Sequence, residues 1–171
     1  MTTLLTLHTK VPQADSIAAQ LILPYELREK SRLRATLSTG EEVALITQRG
    51  SVLRDGDLMQ GSDGRVVQIV AALEPTCRVE CDNALDLLRC AFHLGNRHTQ
   101  AQVGDGFLRI RYDSVLKEML QGLGARVSDE QASFEPEAGA YGCGHHHGTD
   151  GGHPLAPIPL RQRIHRPSDP Q

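Results

Sequence analysis

Apolar positions in the first sixty residues alternate with polar ones or come in short runs, the spacing of half-buried strands. Leu4, Leu5 and Leu7 lead the first run. Leu33-Arg34-Ala35-Thr36-Leu37 and Val43-Ala44-Leu45-Ile46 then flank Ser38-Thr39-Gly40-Glu41, a good hairpin turn. Asp55-Gly56-Asp57 and Ser62-Asp63-Gly64 signal further turns. Short strands at even spacing, with no long helical period, predict a small β-barrel or sandwich over residues 1–64.

From Arg65 the rhythm changes. Residues 66–73 are a compact apolar run, and Arg78-Val79-Glu80 continues it in extended form past Pro75. Asp82 is placed to cap a helix with apolar residues at Leu85, Leu88, Ala91 and Phe92. Gly95-Asn96 should end it, because both residues tolerate the left-handed conformation. Val103 and residues 107–112 predict two strands around Gly104-Asp105-Gly106. Asp113 or Ser114 caps a second helix carrying Val115, Leu116, Met119, Leu120 and Leu123, and Ala125-Arg126-Val127 starts a last strand. The order is βαββαβ, so the α+β chain is expected to place a ferredoxin-like domain at 65–136. After Pro136 the sequence turns to glycine, histidine and proline, and 137–171 is expected to be a disordered, flexible tail.

Composition narrows the function classes. With no tryptophan and only three Phe and three Tyr in 171 residues, the core must come from Leu, Val, Ile and Ala. The net charge of -3 and the lack of long Lys/Arg runs argue against a nucleic-acid or membrane surface. No apolar stretch nears the roughly 18 residues that span a bilayer. The first residues lack the charged and apolar regions of a signal peptide. Cys77, Cys81, Cys90 and Cys143 are then expected to be reduced thiols in a cytoplasmic protein.

Candidate chemistry is concentrated in Gly-Cys-Gly-His-His-His-Gly-Thr-Asp-Gly-Gly-His, residues 142–153. Imidazole and thiolate are ligands for borderline transition metals, and flanking glycines leave the backbone free to turn around an ion. His145, His146, His147 and His153 are candidate metal ligands, with Cys143 beside them. A purification tag is the bland alternative, but a tag is usually an uninterrupted terminal run. A second histidine pair lies in His93-Leu94-Gly95-Asn96-Arg97-His98. Five residues apart on one helix, the two rings would point about 140° away from each other. A break at Gly95 frees His98 to project from the following loop. One histidine holds a metal poorly, but two copies of His98 meeting on a twofold axis would converge on one ion. His93 reads as a helix C-terminal histidine facing the dipole. Cys77, Cys81 and Cys90 read as small buried hydrophobes, since their spacing is not the paired CxxC of a structural zinc site. No Gly-x-Ser-x-Gly, Walker loop, His-Glu-x-x-His or dinucleotide fingerprint is present, and the chain is not expected to be an enzyme.

Three segments in order carry a family resemblance. Residues 32–37 followed by 49–57 resemble the N-terminal β domain of the UreE family, the nickel metallochaperones of urease maturation. His93-Leu94-Gly95-Asn96-Arg97-His98 resembles that family's most specific motif. Phe134-Glu135-Pro136-Glu137-Ala138-Gly139-Ala140-Tyr141 resembles its junction before a histidine-rich tail. The resemblance implies a homodimer with His98 holding Ni²⁺ at the interface and C-terminal histidines adding ligands. It implies a partner- or peptide-binding N-terminal domain, and delivery to apo-urease through the accessory GTPase complex. Zn²⁺ or Cu²⁺ would compete for such ligands. Some members carry further histidines near the start of the second helix; Tyr112 and Ser114 stand there in this chain. The alternatives are a metal buffer without a delivery role, or an interaction module with an incidental histidine-rich tail.

Overall fold

The computed structural model describes residues 4–138. The chain begins with strands β1 (Leu5–Val11) and β2 (Ala19–Leu23) and a single helical turn, α1 (Tyr25–Arg28). β3 (Arg32–Thr36), β4 (Glu42–Ile46), β5 (Leu58–Gly61) and β6 (Val66–Ala71) follow. They form one six-stranded sheet in the order β2-β6-β5-β1-β4-β3. Its two outer strands approach each other where Ser38 N–H donates to the Gln20 carbonyl at 2.8 Å, so the sheet curls into a nearly closed barrel. The β3–β4 hairpin turns at Gly40, whose φ of 86° is natural only for a residue without Cβ. Leu7, Leu21, Val43, Leu45, Met59, Val67 and Ile69 fill the interior from alternate positions.

The second unit is built from β7 (Leu73–Glu80), α2 (Ala84–Gly95), β8 (Gln102–Gly104), β9 (Phe107–Arg111), α3 (Ser114–Gly122) and β10 (Arg126–Ser133). The antiparallel sheet order β10-β7-β9-β8 with two helices is the ferredoxin-like arrangement that the element order predicts. Its core is separate: Cys77, Val79, Cys90, Leu94, Leu108, Ile110 and Leu120.

Two expectations need correction. β6 does not open the second unit; it pairs with β2 and β5, so the first unit runs through Ala71 and the second starts at β7. The apolar run from 66 to 73 contains no turn residue, and the hand-over between sheets falls on Ala72 alone. α2 is capped by Asn83, whose side chain accepts from Asp86 N–H at 3.0 Å, while Asp82 pairs with Arg126 instead. The apolar residues of α2 divide between two faces. Leu87, Cys90 and Leu94 turn inward, whereas Leu85, Leu88 and Phe92 are 59%, 67% and 64% exposed.

A charged junction joins the units. The fully buried Arg28 donates to the Leu53 carbonyl at 3.1 Å and to the Phe134 carbonyl at 2.6 Å, and its guanidinium pairs with Glu135. Arg54 reaches the other Glu135 oxygen at 3.0 Å and the Pro136 carbonyl at 2.9 Å. Tyr25 meets the Phe134 ring edge-on. A buried guanidinium is tolerable only with such a complement of acceptors.

Candidate metal centre

The end of α2 fixes His98. After Leu94 the helix closes in a Schellman motif: His98 N–H donates to the Gly95 carbonyl at 2.9 Å and Thr99 N–H donates to the Leu94 carbonyl at 3.1 Å. That motif needs one left-handed residue. Here it is His98, with φ of 53°, the single non-glycine residue of positive φ among those described. Gly95 and Asn96, expected to supply that conformation, stay helical or nearly so, and Asn96 has φ of -63°. A side chain at this position costs about 1–2 kcal/mol relative to glycine. Strain of this kind is retained where the side chain has a task.

His98 is exposed, and it lines an open cleft of about 840 Å³ with Glu29, Glu74, Arg111 and Tyr112. His93 sits one turn earlier on α2, partly covered, with its ring edge-on to Phe92 at 5.5 Å. Its carbonyl accepts from Arg97 at 3.1 Å. Among the described residues no group of three or more His, Cys, Asp or Glu converges as a metal site. Cys77 and Cys90 are buried, as expected of small hydrophobes; Cys81 is only partly so. Cys143, His145, His146, His147 and His153 lie outside the described residues.

Two features of this region escape sequence reasoning. One is the outward apolar triad of α2, which shares a helix with the motif that ends in His98. The other is the root of the tail. Glu137 N–H donates to the Ala101 carbonyl at 2.9 Å, so the last described residues lie beside the segment that follows His98. The i, i+3, i+7 spacing of Leu85, Leu88 and Phe92 was legible; its direction was not.

Both halves of the chain match family models. Residues 2–72 match the N-terminal domain of the UreE urease accessory protein, and residues 74–157 match its C-terminal domain. The division between them coincides with the change of sheet at Ala72. The chain is 67% identical to a urease accessory protein UreE of Nitrosospira multiformis over 172 residues, covering 97% of this chain and 98% of that protein. It is 70% identical to the one from a Janthinobacterium species over 167 residues, with the same two coverages. A Burkholderia lata relative is 53% identical over 152 residues, covering 85% of this chain and 73% of its own length. The chain belongs to the UreE urease accessory protein family.

Proposed function

We propose that this chain is a cytoplasmic nickel metallochaperone, a carrier rather than an enzyme, that delivers Ni²⁺ to apo-urease through the accessory GTPase complex. The observation that carries the reading is His98: an exposed imidazole locked in a left-handed cap at the end of a helix whose outer apolar face no described residue covers. A lone imidazole holds nickel weakly. A twofold dimer packed through Leu85, Leu88 and Phe92 would bury that face and bring two copies of His98 toward one ion.

His145, His146, His147 and His153, with Cys143, then close the coordination shell from the tail. From Pro136 to His145 is nine residues, a reach of about 30 Å when extended. The tail root beside Ala101 starts that reach near His98. Copper stands above nickel and zinc close to it in intrinsic affinity, so discrimination comes from a nitrogen-rich, six-coordinate shell and from the receiving partner. Release follows from the same design, because tail ligands can leave one at a time.

Calorimetric nickel titration of the full chain tests the reading. The wild type should show a tight site that His98→Ala removes without unfolding the protein. Affinity should also fall as pH drops from about 8 to about 6, since imidazole coordinates only when neutral. A tight isotherm unchanged in His98→Ala would move the primary site elsewhere. Co-purification of the GTPase and apo-urease separates delivery from mere buffering.

A further inference from the structure

Two thiols meet beneath the first half of α2 and take no part in the nickel reading. Cys81 Sγ lies 3.9 Å from Cys90 Sγ, a van der Waals contact. Cys81 follows the last residue of β7; Cys90 sits on the inward face of α2, fully buried. Only Cys81 is open to solvent in part. A disulfide requires sulfurs about 2.05 Å apart, so bonding asks for an approach of roughly 2 Å, within the range of a small χ1 adjustment. Two buried cysteines nine residues apart would normally be packing alone. A pair in contact with one member reachable from water has a further chemistry.

We infer that Cys81 and Cys90 form a thiol–disulfide modification site, at which a peroxide reaching Cys81 closes an intramolecular bond that fastens α2 to the end of β7. The sulfur of Cys81 attacks a peroxide oxygen, the O–O bond breaks, and Cys81 becomes a sulfenic acid as water or an alcohol leaves. The sulfur of Cys90 then attacks that of Cys81; the S–O bond breaks, a second water departs and the S–S bond forms. The two thiols together lose two electrons and two protons, and the peroxide takes them up. Burial first, and the hydrogen bond to Cys81 second, push the Cys90 thiol up to about 11. It therefore stays protonated near neutral pH, so the partly exposed Cys81 reacts with peroxide first, and Cys90 gives up its proton as its sulfur attacks that of the sulfenic acid. Cys77 has a different neighbour: its Sγ donates to Asp129 at 3.5 Å. The bond would span the start of the helix whose far end is His98, so oxidation stiffens the element that presents the apolar triad.

Hydrogen peroxide treatment of the full chain carrying Cys143→Ser, followed by alkylation and mass spectrometry, tests the site. Each chain should lose about 2 Da, with both thiols protected from alkylation and no covalent dimer. Trypsin, cutting after Arg78, Arg89 and Arg97, should release peptide 79–89 joined to peptide 90–97. Dithiothreitol should reverse the change, and the oxidised form should melt roughly 5 °C higher because a short loop is closed in the unfolded chain. Cys81→Ser should abolish the mass loss. Addition of about 32 Da at Cys81 with Cys90 still open to alkylation after unfolding would overturn the proposal, as would two fully alkylatable thiols after peroxide.

Discussion

The two units of this protein solve the burial of apolar residues in opposite ways. The barrel-like unit encloses Leu7, Leu21, Val43, Leu45, Met59 and Ile69 completely. Its exposed large apolar residues, Ile17, Ile22 and Ile46, fall on separate segments. The ferredoxin-like unit buries its own core equally well, yet leaves Leu85, Leu88 and Phe92 in line on one helix. Where the units meet, contact is made by Arg28, Arg54 and Glu135 around a Tyr25–Phe134 pair rather than by that helix. The first unit closes on itself, whereas among the described residues nothing covers this face of α2 in the second. His98 stands on that second unit, at the end of the same helix.

The comparison breaks most visibly at the junction. Arg28→Ala should cost about 3 kcal/mol in denaturant unfolding, because the Phe134 and Leu53 carbonyls and the Glu135 carboxylate lose a buried donor together. A loss below about 1 kcal/mol would mean that water replaces the guanidinium and that the units are not held this way. Next comes the uncovered helix face. Phe92→Ser should weaken self-association about 30-fold, the scale of a central aromatic contact, while leaving chain stability at low concentration nearly unchanged. Sedimentation across a dilution series reads the first effect and denaturant unfolding the second.

His98→Gly should sharpen the contrast in the other direction. Relief of the left-handed strain should raise metal-free stability by about 1 kcal/mol, although the imidazole is gone. His98→Ala keeps the strain and should show no such gain. A mutant that binds less metal and folds better would identify a residue kept for binding.

The smallest effect lies at Asp129. A hydrogen bond from the Lys117 ammonium holds its carboxyl below the usual carboxylate value. Because the folded value is lowered, the contribution is present above the unfolded value of about 3.9 and is lost as pH falls through the folded one. Asp129→Asn should slightly flatten the decline of stability below about pH 4, read by thermal melts in acid. The pair is exposed, so a steep change there would contradict its placement.

What the sequence revealed was mainly local. The hairpin at Gly40, the helix from Ala84 and the βαββαβ order follow from turn residues and periodicity within a few positions. β2 and α1 carry too short a pattern to be seen. β6 was assigned to the wrong unit because no turn residue separates it from β7. α2 is legible as a helix, but it carries two apolar triads at i, i+3, i+7, Leu87-Cys90-Leu94 and Leu85-Leu88-Phe92, and only the sheet decides which of them is buried. The motif ending in His98 was visible as composition, while its left-handed backbone was assigned to Gly95 and Asn96, the residues that bear that conformation most easily. Arg28 and Glu135 are 107 positions apart, and nothing local announces their pairing.

If His98 anchors nickel where two copies of this chain meet through α2, nickel binding and association are one event. Calorimetric nickel titration of the full-length wild type, with mass measured by sedimentation on the same samples, tests it most directly. The wild type should bind one tight ion per two chains and associate more strongly with nickel present, and His98→Gly should lose both effects. One tight ion per chain, unchanged in that variant and without any effect on association, would contradict it.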